Sequence, residues 1–146
     1  MQLSEHFSLE ELCKSASASR LHLDNTPGQE ELVNLTVLCV NTLEPLRKAW
    51  GDSIIVSSGY RSPKVNKAVG GVANSQHLTG QAADILPRNR KDAQKLFALA
   101  LKQGNFDQAL LEFNKSDGSL RCIHISCKRF PAENRVTYNS KYMFDA

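Results

Sequence analysis

The sequence predicts an α+β fold, a small antiparallel sheet with helices packed on it, and three features predict it. Helical periodicity dominates the first third of the chain, short β-branched or apolar runs begin at Ile54, and the last two runs are joined by Ser116-Asp117-Gly118-Ser119, a strong hairpin signal. With 146 residues, 41% of them apolar and 23% charged, the composition is that of a folded domain, which excludes disorder, collagen and coiled coil. One domain over residues 1–146 is expected. The formal charge of +3 is too small to argue for nucleic acid, and no apolar run approaches the ~20 residues of a membrane span, so neither partner is expected. Met1 to His6 carries no basic, apolar leader, which predicts cytoplasmic synthesis without a signal peptide. Cys13, Cys39, Cys122 and Cys127 read as free thiols in a chain with ample core.

Taken in order, Ser8-Leu9-Glu10-Glu11 is a capping box that starts a short helix, and the small polar residues Ser15 to Ser19 read as a connector. Thr26-Pro27 reads as the cap and first position of a long helix whose apolar positions are Leu32, Leu35, Cys39, Leu43, Leu46 and Trp50, ending at Gly51. Pro45 lies inside it, so a kink near Asn41 to Glu44 is expected. Ile54 to Ser58 predicts a buried strand delivering Tyr60 and Arg61 to its end, and Ser62-Pro63 opens a helix closed by Gly70-Gly71. Gly71 to Gly80 has no periodicity and reads as loop. Ala82 to Leu86 is a strand stopped by Pro87, Asn89 caps a helix with Gly104 after it, and strands follow over Phe106 to Phe113 and Leu120 to Cys127. The tail from Arg129, rich in Asn, Tyr and Lys, is assigned no element.

The chemistry gathers on three residues. Asp84 is a carboxylate among small and apolar neighbours, where burial without a partner costs several kcal/mol. His77 stands in the loop entering its strand, and His124 sits mid-strand near the end of the chain. Two imidazoles and one carboxylate are the ligand number of a catalytic zinc site, which keeps a fourth place for water and lowers its pKa to about 7. A hydrogen-bonded Asp–His pair in a core fits the same pattern, and composition and spacing leave both readings open.

The strings Ser58-Gly59-Tyr60-Arg61-Ser62-Pro63, Asn66 with Gly70-Gly71, Ser75-x-His77-x-x-Gly80-x-Ala82-x-Asp84, and Ile123-His124-Ile125-Ser126 resemble the zinc D-alanyl-D-alanine peptidase family, in particular its short single-domain branch common in phage and prophage genomes. The resemblance covers nearly the whole chain. It implies a Hedgehog/DD-peptidase-like fold, Zn2+ held by His77, Asp84 and His124, and Arg61 steadying the oxyanion or the substrate. It places Ser75 at a substrate contact, although Ser75 could equally form a turn. Many members carry an acid three residues before the last histidine; here that position is Arg121, which cannot accept a proton. Glu112 is the nearest candidate base. Gln108, Leu110 and Glu112 share one strand face, and Cys122, His124 and Ser126 share one on the neighbouring strand. A two-residue Asp117-Gly118 loop would pair Glu112 with Ile123, and a three-residue loop would pair it with His124. The family usually has an aromatic at Cys122, which is read either as a thiolate competing for zinc or as a small filler that widens the cleft.

The expectation is a monomeric zinc peptidase that cleaves peptidoglycan stem peptides, as a D-Ala-type carboxypeptidase or an endopeptidase, reaching the cell wall by phage-type release. The alternative is a non-catalytic, zinc-stabilised wall-binding or phage structural module.

Overall fold

The computed structural model describes residues 1–129 and the backbone of 135–138. Among these residues five strands form one sheet in the order β1-β2-β4-β3-β5: β1 (Val56–Ser58), β2 (Ala82–Ile85), β3 (Gln108–Phe113), β4 (Leu120–Ser126) and β5 (Arg135–Tyr138). β1, β2, β4 and β3 run antiparallel to their neighbours, while β5 joins the edge parallel to β3. The class is α+β, as the sequence predicts. The edge strand β5 lies in the tail from Arg129, for which the sequence predicts no element; residues 130–134 and 139–146 lie outside the described residues.

Among the described residues six α-helices accompany the sheet: α1 (Leu9–Cys13), α2 (Ala16–Leu21), α3 (Gln29–Leu38), α4 (Glu44–Trp50), α5 (Pro63–Ala68) and α6 (Arg90–Gln103). Ser8 and Glu11 close the expected capping box on α1. The expected connector after it is a helix instead. Ser15 accepts the N–H of Ala18, and His22 closes α2 in the left-handed region at φ 54°. A cap at each end therefore makes this six-residue stretch, four of its residues Ala or Ser, helical without an apolar period. The long helix starts later than expected, because Asp24 accepts from both the N–H and the hydroxyl of Thr26 and holds the chain in a turn up to Gly28.

At Pro45 the helix widens. Cys39–Leu43 forms a turn of π-helix, in which the N–H of Glu44 reaches the carbonyl of Cys39. Pro45 then occupies the start of α4, where its missing N–H goes unused. The expected kink is thus a π-bulge. It presents Cys39, Thr42 and Leu43 together to the core, and Thr42 donates to the carbonyl of Asn105.

The helices that build the core pack on one face of the sheet. Ala83 and Ile85 of β2, Ile123 and Ile125 of β4, and Ala109, Leu111 and Phe113 of β3 meet Leu35, Leu38, Leu43, Leu46, Leu96 and Phe97 in the core. Period-two alternation sends Asp84, His124, Leu110 and Glu112 to the opposite face, which is the floor of a cleft of about 860 Å3. No helix among the described residues is long and apolar enough to cross a membrane.

Candidate metal centre

Strand pairing alone aligns the floor of the site. Ser58 stands opposite Asp84, Asp84 opposite His124, and His124 opposite Leu110, so the four residues form a row across four strands. His77 joins the row from a 3₁₀ turn (Gln76–Thr79) that runs into β2. The loop expected over this region therefore contains one turn of helix. Ser75 caps it by accepting the N–H of His77 at 3.2 Å, the turn-forming role that sequence left open, and it also lines the cleft.

His77 Nε2 lies 3.2 Å and His124 Nδ1 3.1 Å from the same carboxylate oxygen, Oδ1 of Asp84. Their rings meet edge to face, with centroids 5.2 Å apart. One ligand atom from each residue lies within 4.8 Å of the others, and all three side chains are nearly buried. Burial alone would push the Asp84 carboxyl up. The hydrogen bonds of His124 and then His77, together with their charge, reverse this and hold it far below the usual carboxylate range.

The donor set fits a cation. The other nitrogen of His77, Nδ1, lies 2.6 Å from the carbonyl of Gly59, which can only accept, so Nδ1 carries the proton. Nε2 is therefore the nitrogen turned to the carboxylate at 3.2 Å: protonated, it donates the hydrogen bond that lowers Asp84, and deprotonated, it offers a lone pair that a cation can share with the carboxylate. Gly59 is essential to that geometry, since a Cβ there would stand 2.2 Å from the carbonyl oxygen of Leu12 in α1. A group of Glu5, His6 and Glu44 also clusters, but on the exposed N-terminal surface.

Arg61 is fixed beside the carboxylate. Its Nε donates to Ser58 Oγ at 3.2 Å, one terminal nitrogen to Asn66 Oδ1 at 3.2 Å and the other to Asp84 Oδ2 at 3.5 Å. Asn66 is held in turn by the carbonyl of Val72. Gly71 closes against this pair: a Cβ there would meet Asn66 Oδ1 at 2.0 Å. The sequence offered Asn66 and Gly71 only as parts of a motif; their service to Arg61 appears when α5, opened by Ser62-Pro63, brings position 66 back beside position 61. A second buried support is Asp107, which accepts from Gln76 at 2.7 Å and so pins the turn that carries His77.

Neither expected register of the hairpin forms. Asn114 pairs with Ser119 around a four-residue loop, in which Asp117 accepts the N–H and hydroxyl of Ser119 and Gly118 takes φ 74°. Glu112 consequently stands opposite Cys122, and the two candidate faces coincide. The Cys122 thiol donates to Glu112 Oε2 at 3.4 Å and Arg121 approaches that same oxygen at 4.0 Å, while Oε1 has no partner among the described residues. Burial, then the charges of Asp84 and Glu112, push the Cys122 thiol far up. All four cysteines are free.

A family model described as peptidase M15 matches residues 5–126, a span that holds every residue of this centre. The chain belongs to the peptidase M15 family. M15 membership makes it a metallopeptidase, and zinc is the metal named in a relative. That relative, the zinc D-Ala-D-Ala carboxypeptidase of Streptomyces albus G, is 48% identical over 44 residues, 30% of this chain. The matched stretch spans 17% of the relative's own length.

Proposed function

We propose that this M15 peptidase hydrolyses D-alanyl-D-alanine-type bonds in peptidoglycan stem peptides, on a Hedgehog/DD-peptidase-like fold and with zinc as its metal. The observation that carries the reading is the convergence of His77, Asp84 and His124 on the cleft floor, with Arg61 and Glu112 facing the same cleft. The partial likeness to a D-Ala-D-Ala carboxypeptidase supports the choice of substrate.

His77, Asp84 and His124 would hold the zinc ion, which supplies Lewis-acid polarisation and lowers the pKa of a water. Oε1 of Glu112 accepts a proton from the attacking water and returns it to the leaving amine. Arg61 commits three of its five N–H donors to Ser58, Asn66 and Asp84, which leaves two for the developing oxyanion. Because the guanidinium is locked before substrate arrives, it needs no reorganisation as charge develops.

Glu112→Ala tests the base. Mass spectrometry of a peptide ending in D-alanyl-D-alanine should show release of the last residue by the wild type with zinc. The variant should lose at least ~100-fold in rate, the contribution of a general base, while its zinc content is unchanged. Full activity in Glu112→Ala would remove Glu112 from the mechanism. Wild-type protein that holds zinc yet cleaves neither this peptide nor purified sacculi would instead favour a zinc-stabilised wall-binding module.

A further inference from the structure

Arg121 sits where strand alternation would not put it. On β4, Ile123 and Ile125 face the helices while Cys122 and His124 face the cleft, so an unbroken strand would send Arg121 to the helix side. The pairing breaks at this point. Glu112 stands opposite Cys122 but Phe113 opposite Leu120, which leaves Arg121 as the extra residue of a bulge. The bulge packs Leu120 against the core and turns Arg121 into the cleft wall.

Three cationic side chains line the cleft among the described residues: Arg61, Arg121 and Lys128. Arg61 is only 14% exposed and tied to Asp84, and Lys128 lies 3.7 Å from the buried carboxylate of Asp107. The Arg121 side chain is 63% exposed, and its ion pair with Glu112 is stretched to 4.0 Å. An exposed pair at that distance contributes little, so a ligand carboxylate can displace it.

We propose that Arg121 recognises the free C-terminal carboxylate of the peptide substrate, and so selects peptides that end one residue beyond the cleaved bond. The inference rests on the peptidase reading, with Glu112 as base. Glu112 must lie within a hydrogen bond of the attacking water, and the Arg121 guanidinium lies 4.0 Å from Glu112. One residue spans roughly 3.3–3.6 Å. The carboxylate of a one-residue leaving group therefore falls within reach of Arg121, whose planar fork takes a carboxylate through two parallel hydrogen bonds. The cleft thus divides its arginines, Arg61 for the scissile carbonyl and Arg121 for the chain end.

The test is calorimetric binding to the zinc-loaded protein of a D-alanyl-D-alanine peptide whose last bond is an uncleavable CH2–NH isostere, as free acid and as C-terminal amide. Wild type should bind the acid roughly 10- to 100-fold tighter, the size of a charge-assisted hydrogen bond. Arg121→Ala should bind acid and amide alike, and Arg121→Lys should keep only part of the preference because it loses the fork. An acid preference that survives in Arg121→Ala, or a wild type that binds both forms equally, overturns the proposal. Hydrolysis of the natural peptide is followed in parallel. An Arg121-dependent acid preference without hydrolysis would sink the peptidase reading and leave the carboxylate site standing.

Discussion

Asp84 occupies a position that no neutral residue could take over, because its Oδ1 receives two ring nitrogens and its Oδ2 a guanidinium. The importance of the three candidate ligands was legible in the sequence, since a buried carboxylate needs partners and His77 and His124 are the histidines near a strand. What holds them in place was not legible. The carbonyl of Gly59, the amide of Asn66 and the carboxylate of Asp107 act through contacts that depend on loop paths between distant segments. Gly71 allows a direct check of this supporting layer. Gly71→Ala would drive a methyl into Asn66 and loosen the hold on Arg61, with no ligand touched. The expected outcome is a fall in kcat of about 10-fold or more with zinc content unchanged, since a misplacement of about 1 Å is enough for such a loss. Unchanged kcat would mean that Arg61 is not positioned by Asn66.

At the scale of elements, the errors of sequence reading have specific causes. A periodic apolar stripe does not mark α2, which is short and capped at both ends. Pro45 predicts a kink, but side-chain pattern does not distinguish a kink from the π-turn that absorbs it. The face on which Glu112 lies depends on loop length, and two side chains, Asn114 and Asp117, build a loop longer than the Asp-Gly signal suggests. The N-terminal segment shows how one element is fastened to another. Glu44, first residue of α4, accepts from Ser4 Oγ at 2.7 Å and from the backbone of His6 at 2.5 Å, and it meets the His6 ring at 2.8 Å. Burial alone would push its carboxyl up; the contacts with His6 and Ser4 outweigh that and hold it below its ordinary value of 4.5. A depressed carboxylate contributes stability that is present above its unfolded pKa and lost as pH falls through the folded one. Urea denaturation should accordingly find Glu44→Gln less stable than wild type by about 1–2 kcal/mol at pH 7, with the gap closing as pH drops from about 5 toward 3. A gap of equal size at both ends of that range would show that the charge of Glu44 is not what fastens the segment.

For the whole molecule, the division of labour between the two sheet faces is the main result. The core-building helices cover one face, and the other face carries the polar and charged groups of the cleft, walled by α2 and supported by α5. That separation explains why a rigid four-strand row can present Ser58, Asp84 and His124 side by side while His77 enters from a pinned turn. Rigidity of this kind suits a site that must hold its geometry to within about 0.5 Å. The central claim is that His77, Asp84 and His124 together hold one zinc ion and leave a coordination place for a non-protein ligand. An anomalous difference map at the zinc edge, from crystals grown with zinc, tests it most directly. A single peak bonded to one atom of each of these residues, with a fourth ligand that is not protein, is the predicted result; a peak elsewhere, or a fourth bond to a protein atom such as Cys122 Sγ, would contradict it.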